Sequence, residues 1–304
     1  MRKYLPKIKT GICLALCLGI CIAVPCIAFT KNNSRAASSG EEIVLRIWQI
    51  DSFEGGRGSR ADFLQSVGNR YQEKVGSYVA VTSISADAAR VNLTNGNIPD
   101  AISYGAGIYG IESYISSYKT WCRGGYCFLS VDASADFSDV SSDNTVINEG
   151  KDNLAQAAAL FCGVGDAKTE KSTRAYVSLI NGEYKYLLGT QRDIFRLKTR
   201  GVSFAVKPIT EFNDLYQNIS VTASGERARL ANGFIEYLLS STDELNKIGM
   251  INLNATGLYD DEMRQLEGLS FEYKLNYPVS SNAKNEIEKV VVAGDINKLK
   301  SLLK

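Results

Sequence analysis

Between Ile43 and Tyr118 the chain alternates short β-branched or aromatic runs with amphipathic segments, and this alternation constrains the fold more than any other feature. Ile43–Ile50 (IVLRIWQI) reads as a strand, since branched and aromatic side chains fit a pleated surface. The glycine-rich loop Asp51–Gly58 follows, and Ser59 is placed to cap a helix whose apolar face carries Phe63, Leu64, Val67 and Tyr71. Tyr78–Ile84 is a second strand and Ala86–Asn95 a short helix closed by Gly96. Pro99-Asp100 leads into a third strand, Ala101–Gly105, and Ile111–Tyr118 reads as a further helix. Strand and helix in strict alternation imply a mostly parallel sheet with helices on both faces. Right-handed crossovers then bring the loops after Trp48 and Tyr104 to the carboxyl edge of one sheet, where open α/β sheets bind ligands.

What precedes this series has the pattern of an export signal. Arg2, Lys3, Lys7 and Lys9 form a basic start, and Gly11–Phe29 runs without a charge. The run is long enough for an uncleaved membrane anchor. Cys26 follows Pro25 and Cys21 follows Ile20, neither the small residue that lipoprotein processing requires. Ordinary cleavage after Ala28 or Ala36 and lipidation therefore stay open beside the anchor. Residues 30–42 form a polar spacer. The 304-residue chain then has enough length for two lobes, expected over 43–120 and 121–240, with 241–304 returning to the hinge and the first lobe.

Composition excludes several classes of function. A net charge of +1 gives no electrostatic footprint for nucleic acid. The absence of histidine removes Ser-His-Asp and Cys-His catalysis and the commonest metal ligand. Four of seven cysteines lie in the leader, and Cys122, Cys127 and Cys162 remain, as one disulfide with a free thiol or as buried thiols. Gly55-Gly56-Arg57-Gly58 is followed by no Lys-Ser/Thr pair, so it is not a P-loop. Asp51 and Glu54 are a poor basis for a glycosidase, because two nearby loop acids define no catalytic geometry. No metal, cofactor or catalytic residue is expected.

Farther along, Trp121–Val131 reads as a strand passing between lobes. Helices are expected over Asn153–Phe161, Ser172–Ile180, Gln191–Lys198 and Arg227–Leu239, with strands at Tyr184–Leu188, Val202–Pro208 and Gln217–Thr222. Two short helices, Ala283–Val292 and Ile296–Leu302, close the chain.

The ordered succession of Trp48-x-x-Asp51, the Gly-rich loop, Tyr71 and Asn95-Gly96-x-x-Pro99-Asp100-Ala101-Ile102 resembles the first lobe of the extracellular solute-binding proteins of carbohydrate ABC importers. Ala175-Tyr176-x-x-Leu179-Ile180-Asn181-Gly182, Leu187–Asp193 and Phe234–Ser240 continue the resemblance. The chain departs from the family in being short between about Val131 and Ala175. The resemblance implies a two-lobed α/β fold of the periplasmic-binding-protein (type II) kind, with mostly parallel sheets flanked by helices. It also implies an exported monomer that captures an oligosaccharide between its lobes and delivers it to the membrane subunits of an ABC permease. The alternative is an anchored sensor or interaction protein on a degenerate scaffold, without transport.

Eight residues are candidates for the ligand site. Trp48 is a sugar-stacking platform or a core tryptophan, and Tyr104 offers a ring and a hydroxyl to the same cleft or packs on a helix. The Asp51 and Glu54 carboxylates can accept hydroxyl hydrogen bonds or belong to a solvated loop. Trp121 and Arg123 beside Gly124-Gly125 form a ligand clamp or a cation–π contact. Gln191, Arg192 and Asp193 stand at a strand-to-helix turn which, by the resemblance, faces the ligand from the second lobe; the alternative is that Asp193 only caps or complements the dipole of that helix. Asp214, Tyr216 and Gln217 are weaker candidates.

Overall fold

The computed structural model describes residues 43–53, 57–150 and 153–303, which belong to one compact unit, Ile43–Lys304. The leader and spacer, and the expectations attached to them, lie outside the described residues, as does Glu54. Two five-stranded sheets form two lobes. In the first, β1 (Val44–Asp51) is flanked by β2 (Tyr78–Ser85) and β3 (Ala101–Gly105), both parallel to it. β4 (Lys119–Arg123) forms one edge. In the second, β6 (Thr145–Glu149) lies between β7 (Lys168–Lys171) and β8 (Tyr186–Thr190), again all parallel. β5 (Tyr126–Ser130) runs antiparallel to β8 and to β9 (Ala205–Pro208). β10 (Phe212–Asn213) pairs with β12 (Tyr273–Lys274), and β11 (Tyr216–Val221) runs antiparallel between β3 and β4.

The two orders, β2-β1-β3-β11-β4 and β7-β6-β8-β5-β9, are the same pattern built twice. In each, three parallel strands meet an antiparallel strand delivered by a crossing of the chain. The short second lobe therefore keeps a complete sheet. Tyr216–Val221 returns to the first lobe earlier than the sequence boundary at 240, because its buried side chains complete that sheet.

The helices follow the apolar periodicity. α1 (Arg60–Val75), capped by Ser59 and stopped by left-handed Gly76, buries Phe63, Leu64, Val67 and Tyr71. α2 (Ala86–Thr94) covers the other face of the sheet with Ala89 and Leu93. The run expected as a helix from Ile111 makes only a 3-10 turn, Glu112–Tyr114. In the second lobe α3 (Ala155–Phe161), α4 (Ser172–Ile180) and α5 (Gln191–Thr199) surround the sheet. α6 (Gly225–Leu239) packs on α1, with Tyr71 edge-on to Phe234.

The C-terminal segment reaches both lobes: Ile248 and Val279 meet Gly58 and Tyr109 of the first, and the second lobe also takes side chains from it. α7 (Asp261–Arg264) packs on α5, and Tyr259, Met263 and Leu266 join the cluster formed by Leu129, Tyr176, Leu187 and Ile194. α8 (Ser281–Val292) packs on α3, and α9 (Ile296–Leu302) packs on α8. A lobe too short to fill its own core borrows these side chains. The strand expected over Trp121–Val131 is β4 and β5, broken at Gly124-Gly125 where the chain crosses between lobes.

Candidate ligand site at the lobe junction

The crossing strands form a hydrogen-bonded hinge. Gly124 donates its N–H to the Leu215 carbonyl at 2.6 Å, and Gln191 exchanges two bonds with Gly125: its N–H to the Gly125 carbonyl at 3.2 Å, and the Gly125 N–H to its Oε1 at 3.0 Å. A Cβ on Gly124 would stand 2.8 Å from Gln191 Oε1 and 3.0 Å from Leu215 Cβ, so a larger residue would have to displace the Gln191 amide or Leu215. Arg123 pairs through its backbone with Ile251 at 3.0 and 2.9 Å, and its guanidinium donates to the Gly124 and Leu266 carbonyls over the Phe271 ring. Burial lowers the Arg123 pKa, with Tyr216, Tyr259 and Glu267 opposing.

Asp214, on the return crossing, is 2 % exposed. It accepts from the Tyr126 hydroxyl and from the Leu154 N–H, both at 2.7 Å, joining the hinge to the loop after β6. Burial pushes its pKa up to about 6 against these bonds and Lys284. A cavity of about 10 Å³ lies nearby, lined by Gly107, Asn153, Leu154, Val279 and Lys284. That is the room of one water molecule.

Toward the first lobe the junction is polar and filled. Arg60 donates to Gln217 Oε1 at 2.9 Å and to the Phe53 carbonyl at 2.8 Å, with its guanidinium over the Phe53 ring. Gln217 donates onward to Ser103 Oγ at 3.0 Å. Trp121, fully buried, donates to the same hydroxyl at 3.1 Å and stacks on Phe63. At the rim Arg57 and Gly58 donate to the Ile248 carbonyl at 2.9 and 3.2 Å, while Phe195 of the second lobe packs against Gly249 and under Arg57.

Of the eight candidates, Arg123 and Gln191 meet at the Gly124–Gly125 crossing, while Trp121 packs inside the first lobe against Ser103 and Phe63, each with protein partners. Trp48 is 7 % exposed and lies in the core between sheet and α2, with Ile50, Leu93 and Tyr104. The Tyr104 hydroxyl is buried without a hydrogen-bond partner, and burial raises its pKa. Asp51 ends β1, and Glu54 is outside the described residues. Arg192 lines a pocket at the rim with Arg57, Tyr176, Phe195, Arg196 and Arg200. Sequence reasoning passed over the last of these, although Arg192, Arg196 and Arg200 repeat every four residues along one helical face. Asp193 closes the capping box of α5, the second of its two readings: it accepts from the Thr190 N–H, and also from Asn148 and Arg196. Cys122, Cys127 and Cys162 are free thiols. No group of three metal-ligating side chains occurs among the described residues.

No protein-family model and no curated protein matches the sequence. Solved structures do match. The spermidine/putrescine ABC transporter substrate-binding protein PotD of Streptococcus pneumoniae aligns with TM-score 0.54 and 10 % identity, over 86 % of this chain and all of that one (100 %). Iron-bound HitA of Pseudomonas aeruginosa aligns with TM-score 0.51 and 12 % identity, over 86 % and 98 %. A two-component system protein that mediates signal transduction aligns with TM-score 0.51 and 11 % identity, over 75 % and 93 %. The chain thus has the two-lobed α/β fold of type II periplasmic binding proteins, with mixed parallel and antiparallel sheets flanked by helices. ABC-transporter substrate-binding proteins of diverse ligands share this fold, which is not specific to carbohydrate.

Proposed function

We propose that this chain is an exported, membrane-associated protein that captures a solute and works as a surface sensor or interaction module, without handing cargo to a permease. The observation that carries the reading is the state of the junction. Gln191, Arg123, Asp214 and the Arg57–Ile248–Phe195 clasp are all engaged in holding the two lobes together. One hydrophobic cluster also runs through both lobes, from Leu45 and Ile47 to Phe128, Ile147 and Leu188. A delivery protein opens and closes about its ligand. Here closure has protein partners of its own. Trp48, read as a sugar platform, and Tyr104, read as facing the same cleft, are both covered, so a saccharide would reach them only by opening the core of the first lobe. Fold likeness to a transporter component and to a signalling protein is compatible with either use of the scaffold.

Small-angle scattering of the 43–304 unit without any added solute tests this. The expected profile is that of the closed form, unchanged across a panel of neutral saccharides. An open form that closes on a saccharide would restore the transport reading.

A further inference from the structure

Residues 272–279 lead from α7 to α8 without a helical turn. Pro278 has no N–H and biases Tyr277 away from helical angles. Leu275 and Val279 are 1 % and 3 % exposed, while Glu272, Lys274 and Tyr277 face solvent. The segment therefore has two apolar anchors and an exposed back.

Its bonds run from one lobe to the other. Glu272, Tyr273 and Leu275 donate their N–H groups to the Thr210, Glu211 and Asn213 carbonyls of the return crossing, each at 3.0 Å. The Tyr273 ring stacks on Phe161 of the second lobe, with centroids 4.8 Å apart. Farther on, Asn218 of β11 in the first lobe donates to the Asn276 carbonyl at 3.0 Å, and Val279 bridges to Tyr109 beyond β3. Lys284 of α8 then holds its ammonium 4.8 Å from the Tyr109 ring centroid, while α8 packs on α3. One short segment and the helix after it thus touch both lobes.

The anchors also fill the place where a ligand of this kind of sheet would lie. Leu275 and Val279 wall the small junction cavity together with Gly107, from the loop after β3, and with Asn153 and Leu154, from the loop after β6. Those two loops follow the carboxyl ends of parallel strands, one in each lobe, and open α/β sheets bind at that edge. The fit is incomplete: Asn153 Oδ1 is buried and has no hydrogen-bond partner among the described residues. A buried acceptor left unpaired costs free energy, so the anchors occupy this space without satisfying it. The hinge strands can stay intact while lobes part, but any parting that lets a solute reach Gly107 and Asn153 must first withdraw Leu275 and Val279.

Resting on the capture reading above, we infer that residues 272–279 form a strap that stands in the solute's place, bridges the lobes while no solute is bound, and must be released before one is admitted. Capture is then a competition between the solute and a segment of the same chain, and the free strap is the change that a sensor would pass on.

Hydrogen exchange of the full chain in detergent, read along a series of urea concentrations below the unfolding transition, tests this. A strap that detaches as a unit gives Tyr273 and Leu275 a shared opening with weak urea dependence, at least about a hundredfold faster than exchange of Leu188 in the core of the second lobe. If release precedes parting of the lobes, the rim amides of Arg57 and Gly58, bonded to the Ile248 carbonyl, open with the same weak dependence. Val279→Ala removes most of one anchor and keeps the backbone bridge, so strap and rim amides should all exchange about tenfold faster in this variant. Strap or rim amides with the steep urea dependence of Leu188 would make the segment an integral part of the core and overturn the inference. Rim amides that keep their rate in Val279→Ala overturn it as well, because the lobes would then part with the strap in place. Neither failure alters the scattering profile expected without solute, whereas an open profile removes the capture reading itself.

Discussion

Asp100 shows how a residue singled out by resemblance can have its work elsewhere. Its carboxylate takes both arms of Arg227 at 2.6 Å and the Arg46 N–H at 2.7 Å, and its backbone bonds Arg46 and Thr222. Pro99-Asp100 therefore pins β1, β3, β11 and the start of α6, and carries no ligand role. Replacing Asp100 by Ala strands Arg227 and the Arg46 N–H. It should cost about 2–3 kcal/mol in urea unfolding, while Arg227→Ala costs less, because Arg227 is partly exposed. Equal, negligible losses in both would show the pair to be ornamental. The candidate site was legible to the same limited degree. Sequence placed Trp121 and Arg123 on the crossing strand and Gln191 at a strand-to-helix turn; in the structure Gln191 bonds Gly125 of that crossing. It did not place Trp48 inside the core, because an indole at a strand end reads alike as platform and as packing. Arg192 was weighed as a candidate while Arg196 and Arg200 were not, because the pocket that gathers them also takes Tyr176 and Arg57, which are distant in sequence.

At the scale of elements, the first lobe was readable from periodicity because each strand and helix of the β1–β3 series packs against its sequence neighbour. The second lobe was less so. Its strands β5 and β9 pair across long separations, and its core is completed by Tyr259, Met263 and Leu266 from the C-terminal segment. No local pattern announces that a segment after α6 will cross over to fill another lobe. The hinge is where element boundaries matter most. Gly124 divides the run Trp121–Val131 into β4 and β5, and the Gln191 amide oxygen stands 2.8 Å from where its Cβ would be. Gly124→Ala must displace that amide or the Leu215 side chain. It should destabilise by about 1–3 kcal/mol and raise amide exchange at Gly125 and Gln191 first. Unaltered exchange at those two positions would mean that the approach tolerates a methyl group.

Apart from the strap, the whole molecule is held shut at two places with different chemistry. The rim clasp of Arg57, Ile248 and Phe195 is built from backbone bonds, packing and a cation–π contact. The hinge contains Asp214, whose pKa is raised by burial from 3.8 to about 6. Protonation is therefore more favourable in the folded protein than in the unfolded chain. The stability it contributes is complete below about pH 4 and is lost as pH rises through about 6. A shift of this size corresponds to about 2–3 kcal/mol across that interval. Asp193, also raised by burial, adds a slope of the same sign, whereas Asp132, Asp136, Asp139 and Glu170 are lowered by hydrogen bonds and act oppositely. The single-residue contribution is isolated by comparison with Asp214→Asn, which keeps one acceptor for Tyr126 and removes the titration. Urea unfolding of both proteins at about pH 4.5 and pH 7.5 should show the variant gaining about 2 kcal/mol on the wild type toward the higher pH, whatever its offset from the lost Leu154 bond. A difference between the two that does not change with pH would place the proton elsewhere and leave the hinge carboxylate ionised throughout.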